Sequence, residues 1–156
     1  AASDVYKRQH LLDIQILLVA APSYLQQVQS PEKPEDLLKH QCIIDRNFKE
    51  PEFWRFSSTE QPQLEETVQL EGRVNFANTE ACHIAALAGL GVCRIPAFIC
   101  SQSLKSKQLI PLMPNYYIKS SGLYAVYPPS RHLANKVRSL IDFLKDYYQN
   151  RQEWDF

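Results

Sequence analysis

Short apolar runs of strand length alternate with helical patterns along nearly the whole chain, and this alternation constrains the fold more than any other feature. Cys42-Ile43-Ile44 is an apolar run too short for a helix, and Val92 to Ile95 is a short strand pattern that Pro96 ends. Between them, small apolar residues recur at helical spacing from Thr79 until Gly89. Strands that alternate with helices predict an α/β fold with a largely parallel sheet.

The remaining elements are predicted from the same periodicities and from the prolines and glycines that punctuate them. Further strands are expected over residues 11–20, 53–56, 68–76, 109–112 and 122–127, and helices over residues 24–27, 35–40, 97–104 and 133–148. The last helix carries one apolar stripe, at positions 133, 137, 140, 141, 144 and 148.

Charge, hydropathy and cysteine usage exclude several classes of protein. The 17 basic and 17 acidic residues balance, so nothing favours contact with a phosphate backbone. The apolar stretch Ile14 to Ala21 is far shorter than the roughly 20 residues that cross a bilayer. Asp13 and Gln15 interrupt the apolar residues near the start of the chain, so a secretory signal is not expected. Four cysteines without a C-x-x-C pair predict reduced, buried thiols and favour the cytoplasm.

No catalytic constellation is recognisable. The chain has no glycine-rich phosphate loop and no G-x-S-x-G hydrolase turn. Its four histidines are scattered without metal-ligand spacing. We therefore expect neither an enzyme nor a cofactor or metal site.

Several segments, in order, carry a family resemblance: V-A-A-P-S-Y-L at 19–25, P-E-D-L-L-K-H-Q-C at 34–42, W-R-F at 54–56, and longer stretches at 78–96 and 123–144. Together they resemble the effector-binding domain of LysR-type bacterial transcription regulators, especially the large subgroup of CrgA-like regulators. Three features depart from the pattern. Ser139 stands where phenylalanine is usual, Arg94 occupies a normally small or apolar slot, and no glycine precedes Gln108-Leu109. These departures bear on the subgroup and the ligand.

The resemblance implies a fold similar to type II periplasmic binding proteins, with two α/β subdomains joined by two crossover strands and a small molecule in the cleft. Residues 10–20 would form a crossover strand, 21–119 the second subdomain, and 120–150 the return to the first subdomain with its C-terminal helix. Residues 151–156 would be a tail. Residues 1–9 are interpreted as a non-native tail, because Asp4 to Gln9 resembles a translated transposase adapter. The rest of the first subdomain and a DNA-binding helix-turn-helix are expected outside this sequence.

Ligands of open α/β sheets lie at the carboxyl ends of strands, beside helix N-termini. We therefore expect an effector to contact residues that follow predicted strands: Ala21, Ser23, Arg46, Asn47, Asn78, Thr79, Pro96 and Phe98. Three of these residues also have a plainer interpretation. Thr79 could serve only as the N-cap of its helix. Arg46 could be a surface charge and not a guanidinium that pairs with a ligand carboxylate, and Phe98 could be an ordinary core residue.

The function implied by the resemblance is ligand sensing. A small effector, for which a carboxylate is one candidate, would shift the populations of two subdomain arrangements. The protein would be a cytoplasmic homodimer or homotetramer that contacts DNA only through the absent helix-turn-helix. The alternative is a solute-binding protein for transport, which shares the fold, and an enzyme is third. Expressed alone, the chain would leave Leu140, Ile141 and Leu144 uncovered and should aggregate.

Overall fold

The computed structural model describes residues 6–129 and 134–149 of the chain. The first half contains β1 (Lys7–Ala20), α1 (Pro22–Leu25), a 3-10 helix (Pro34–Lys39), β2 (Cys42–Asp45), β3 (Phe53–Ser58), β4 (Glu65–Gln69) and β5 (Gly72–Phe76). The second half contains α2 (Thr79–Leu87), β6 (Val92–Pro96), α3 (Ala97–Lys105), β7 (Ile110–Pro111), β8 (Tyr116–Tyr127) and α4 (Asn135–Gln149).

All the described strands belong to one mixed sheet of order β4-β3-β8-β1-β6-β2-β5, with β7 paired to β1. Only the pairs of β2 with β5 and with β6 are parallel. The prediction of a largely parallel sheet was therefore wrong. Alternating helices and strands reveal the layers but not the strand directions, and the short loop between β3 and β4 permits only an antiparallel pair.

The long strands β1 and β8 pair antiparallel over most of their length, from Lys7 opposite Tyr127 to Ile16 opposite Ile118. The second half of β1 also pairs antiparallel with β6. The β1–β8 ladder contains two register shifts, one between His10 and Leu12 and one between Ile14 and Ile16. Two long neighbouring strands are the feature expected of crossover strands in the two-subdomain fold.

Apolar residues fill both faces of the sheet. On one face, α2 and α3 cover a cluster that includes Val19, Ile43, Cys93 and Ile95. On the other face lies a second cluster, with Tyr24, Leu37, Cys42, Ile44, Trp54, Phe56 and Val92 among its members. Successive residues of β2 and β6 point to opposite clusters, as the pleat requires.

The prediction of reduced, buried cysteines is confirmed. Cys42, Cys82, Cys93 and Cys100 are all buried and free. Burial raises the pKa of Cys42 to about 12 and that of Cys100 to about 11, so both remain protonated thiols at neutral pH.

Several predicted elements need correction at their boundaries. The single strand predicted over residues 68–76 is two strands with different partners, because β4 pairs with β3 and β5 pairs with β2. The strand predicted from Gly122 begins earlier, at Tyr116, and the one around Leu109 shrinks to Ile110–Pro111. The helix predicted over 35–40 is a 3-10 helix. The start of the last predicted helix, at 133, lies outside the described residues.

The end of α3 has a left-handed residue that is not glycine. Lys107 has a φ of 59° and lies where the family pattern has a glycine before Gln108-Leu109. The turn is held by bonds from the Lys107 amide to the Leu104 carbonyl and from the Gln108 amide to the Ser103 carbonyl. A side chain at this backbone conformation is strained, and glycine is not.

Replacing Lys107 with glycine should therefore stabilise the fold by about 1 kcal/mol, because the left-handed conformation no longer crowds a Cβ atom. The free energy of unfolding can be measured by urea denaturation of the protein that carries this chain. Lys107→Ala removes the same charge but keeps the Cβ atom, so it should give no such gain. Equal stabilities for the two variants would contradict this explanation.

Candidate ligand-binding site

The carboxyl ends of three parallel strands meet at one edge of the sheet, which we call the carboxyl edge and define by Asp45, Phe76 and Pro96. β2, β5 and β6 all end there, because β2 runs parallel to both others. The N-termini of α2 and α3 follow directly from this edge. Strand ends and helix N-termini together present unpaired amides to a ligand.

Two of the predicted contact residues lie at the other edge. β1 runs antiparallel to β6, with Val19 opposite Cys93, so β1 ends beside the start of β6. Ser23 accordingly lies near Gly89, at the far end of α2, where its hydroxyl would be 2.8 Å from a Cβ atom at Gly89. The structure therefore does not bring Ala21 and Ser23 together with the other predicted site residues.

A buried carboxylate organises the carboxyl edge. Asp45 is only 3% exposed. One of its oxygens accepts a hydrogen bond of 2.5 Å from the Thr79 hydroxyl, and the other accepts one of 2.9 Å from the Asn47 amide. Asp45 was not among the predicted residues. Its position as the last residue of a buried strand is the signal that could have found it.

The cap of α2 is Asn78, not Thr79. The Asn78 side-chain oxygen accepts hydrogen bonds from the amides of Glu80 and Ala81. The interpretation of Thr79 as a plain N-cap is therefore wrong, because its hydroxyl is committed to Asp45. Together these bonds fix the start of α2 against the end of β2.

Arg46 is tied to the carboxyl edge through its backbone, while its side chain remains accessible. Its amide donates to the Phe76 carbonyl at 2.7 Å, which joins the ends of β2 and β5. Its guanidinium lies 3.4 Å from a Glu52 carboxylate oxygen, and both side chains are roughly half exposed. An exposed ion pair of this kind is weak, so an anionic ligand can compete with Glu52.

Pro96 and Phe98 flank the N-terminus of α3. Pro96 occupies the N-cap position of that helix, and Phe98 lies in its first turn. The ring of Phe98 is 38% exposed, so it is not simple core. This partly exposed aromatic side chain lies beside the edge.

The opposite face of β6 carries a buried cation that was not assigned to the site from the sequence. Arg94 is only 7% exposed, and its guanidinium stacks 4.0 Å from the centre of the Phe48 ring and 5.4 Å from that of Trp54. Two of its nitrogens donate to the Phe53 and Pro51 carbonyls, at 3.3 and 3.4 Å. Burial lowers the pKa of Arg94 to about 10, which still leaves it charged at neutral pH. The signal was its departure from the family pattern.

An open cavity of about 260 Å³ adjoins Arg94. It is bounded by β1 and β8, by β3, and by the loop at residues 48–50. A larger open groove of about 770 Å³ lies beside the 3-10 helix, lined by oppositely charged side chains such as Lys33 and Asp36. The residues of the carboxyl edge do not line this groove.

Two kinds of feature are not found in the part of the chain that the structure describes. Within residues 6–129 and 134–149, no cluster of histidine, cysteine or acidic side chains is arranged to hold a metal ion. No helix among the same residues combines the length and apolar character that a bilayer crossing requires.

Comparisons with known proteins identify one family. The model of the LysR substrate binding domain matches residues 2–149. The transcriptional regulator PtxR of Pseudomonas aeruginosa is 31% identical over 137 residues, which cover 88% of this chain and 43% of that protein. The transcriptional activator TtdR of Escherichia coli K12 is 26% identical, over 95% of this chain and 47% of that protein. The chain thus spans about half the length of the curated relatives it matches.

Solved structures agree on the fold. Full-length AphB, a virulence activator of Vibrio cholerae, matches with a TM-score of 0.80 and 22% identity, over 94% of this chain and 49% of that one. The regulatory domain of CrgA from Neisseria meningitidis matches with a TM-score of 0.76 and 21% identity, over 94% of this chain and 71% of that one. The predicted two-subdomain, periplasmic-binding-protein type of fold is therefore confirmed.

Replacing Thr79 with valine should destabilise the fold by about 2 kcal/mol, because the buried Asp45 carboxylate loses a charge-assisted hydrogen bond. Thr79→Ser keeps the hydroxyl and is the matched control, which should stay within about 0.5 kcal/mol of the wild type. Urea unfolding of the protein that carries this chain measures both. If the valine variant were as stable as the serine variant, the hydrogen bond to Asp45 would not organise this edge.

Proposed function

This chain belongs to the LysR substrate-binding domain family, and from that premise we propose that it senses a small-molecule effector for a bacterial transcription regulator. The curated relatives are helix-turn-helix regulators, which supports regulation over transport and over catalysis. DNA contact is assigned to a helix-turn-helix domain outside this sequence. The balance of 17 basic and 17 acidic residues agrees with this, because a chain without net positive charge is not expected to bind DNA itself.

The observation that carries this proposal is the carboxyl edge. Six predicted residues lie on or beside it: Arg46, Asn47, Asn78, Thr79, Pro96 and Phe98. The edge combines a half-exposed guanidinium, two helix N-termini and an exposed aromatic ring. A small carboxylate suits these features, because the guanidinium and the positive ends of the helix dipoles attract the anion while the ring covers its apolar part.

The proposed mechanism is a shift between two arrangements of the subdomains. Residues 10–20 and the chain from 120 onward would connect the subdomain at 21–119 to its partner. An effector that binds one arrangement more tightly shifts the population toward it, and differential affinity is the only source of that shift. In a cytoplasmic homodimer or homotetramer, the shift would change how the DNA-binding domains are presented.

The central test uses the complete regulator that carries this chain. Its affinity for promoter DNA should change when small carboxylates are titrated, and Arg46→Met should raise the concentration required by about tenfold, because one charge-assisted pair is lost. Arg73→Met is the matched control, since Arg73 is exposed near the start of β5, at the opposite end of that strand. Unchanged DNA affinity with every carboxylate, or equal effects of the two variants, would argue against this site.

A second prediction concerns the apolar surface of α4 and β8. Leu140 is 56% exposed, and Phe143 and Val126 are exposed as well, whereas Ile141 is buried and Leu144 partly buried. We expected Leu140, Ile141 and Leu144 to be exposed. This is right for Leu140 and wrong for Ile141, which is buried where α4 packs on β1.

The 156-residue chain expressed alone should therefore aggregate through these exposed apolar residues. The combined variant Val126→Thr, Leu140→Gln and Phe143→Gln should increase its monomeric fraction, which sedimentation velocity can measure. The control variant Leu38→Gln with Leu64→Gln removes exposed apolar residues elsewhere on the molecule and should change little. A monodisperse wild-type chain would contradict the prediction.

A further inference from the structure

The cavity beside Arg94 has an excess of positive charge. Four basic and two acidic side chains line it: Lys49, Arg55, Arg94 and Lys119, with Glu50 and Glu65. Both acidic groups pair with Arg55, at 2.6 and 3.7 Å. Within the described part of the chain, Arg94 and Lys119 form no salt bridge with a carboxylate. A ligand with a negative charge would therefore complement the positive charge of this cavity.

Arg94 itself is incompletely satisfied. Its Nε has no hydrogen-bond partner among the described residues, and its two bonds to carbonyls are long, at 3.3 and 3.4 Å. A buried guanidinium without an anion carries a desolvation penalty that ring stacking offsets only in part. Burial accordingly lowers its pKa. Such a group gains more from an anionic partner than a solvated one does.

Apart from Ser121, the remaining walls of the cavity are apolar. Ile16, Phe48, Phe53 and Ile118 line it. Its volume, about 260 Å³, is slightly below the range of about 300 to 1,000 Å³ that is usual for small-molecule sites. A ligand that fits must therefore be small, with an apolar body next to its charged group.

The cavity also touches an irregular part of the long strands. Lys119 and Ser121 of β8 line it, and the register shift between Ile14 and Ile16 falls opposite this part of β8. Ladder irregularities of this kind redirect side chains and occur beside binding sites. A ligand here would contact β1 and β8 directly.

We propose that this cavity is a second effector site, which binds a small carboxylate with an apolar body through Arg94 and Lys119. It differs from the carboxyl edge, because Arg94 points to the face of β6 opposite the one covered by α2 and α3. The ligand carboxylate replaces the long carbonyl bonds of Arg94 with charge-assisted ones. Its apolar body lies between the Phe53 ring and the side chains of Ile16 and Ile118.

The test uses the complete protein that carries this chain, with phenylacetate and 4-methylpentanoate as probes and isothermal titration calorimetry as the readout. Both probes should bind saturably at millimolar concentrations, and neutral phenylacetamide should not. Arg94→Met should weaken binding by about tenfold or more, because the charge-assisted pair is lost. Arg73→Met makes the same chemical change at an exposed position outside either site, and it should bind the probes as the wild type does.

A second variant guards against misfolding of Arg94→Met, which removes the hydrogen bonds to the Phe53 and Pro51 carbonyls. Lys119→Met changes an exposed residue at the rim and should weaken probe binding by about threefold. Probe affinity that is unchanged in both variants, or absence of saturable binding by both carboxylates, would overturn the proposal.

The outcome is distinguishable from that of the proposed function. If carboxylates change promoter affinity while Arg94 has no influence on probe binding, the second site is refuted and the sensing function stands. If the probes bind in an Arg94-dependent way while no carboxylate changes promoter affinity, the second site stands and the sensing function fails.

Discussion

The antiparallel pairing of β1 with β6 is the constraint on which the rest of the structure depends. β1 lies in the middle of the sheet and pairs with β6, β7 and β8. Because it runs against β2, β5 and β6, the loops that follow those three strands share one edge, and the loop that follows β1 lies at the other. The composition of the carboxyl edge is therefore decided by strand direction, not by the residue types that follow each strand.

The two faces of the sheet bury charged groups in different ways. Near the edge, Asp45 is buried with two donors supplied by its own neighbourhood, so its charge is satisfied without a ligand. Arg94 is buried to a similar degree, but its guanidinium contacts two aromatic rings and donates long hydrogen bonds to two carbonyl oxygens. A buried carboxylate whose hydrogen bonds are all made within the protein stabilises the structure. A buried cation that lacks hydrogen-bond partners can still bind an anion. That contrast distinguishes a structural group from a candidate receptor.

The sequence predicted the helices and strands well where periodicity or punctuation was strong, as for α2 before Gly89 and for β6. It could not predict strand direction, because period and length are the same for parallel and antiparallel strands, and this is why Ala21 and Ser23 were placed in the site. It also could not show that Thr79 bonds to Asp45, since the two residues are 34 positions apart. Arg94 was visible only as a departure from a family pattern, and its burial and aromatic neighbours depend on tertiary packing.

Ile16 connects the features that matter for sensing. It lies opposite Pro96 of β6 and opposite Ile118 of β8, and its side chain lines the cavity beside Arg94. One residue of β1 is therefore adjacent to the carboxyl edge, to the second candidate site and to the irregular part of the long β1–β8 ladder. A ladder bends more easily at a register shift than in a regular stretch, because the hydrogen-bond pairing is interrupted at the shift. Ligands on either face of the sheet would thus act on the same short stretch of β1, and their effects on the long strands should be coupled.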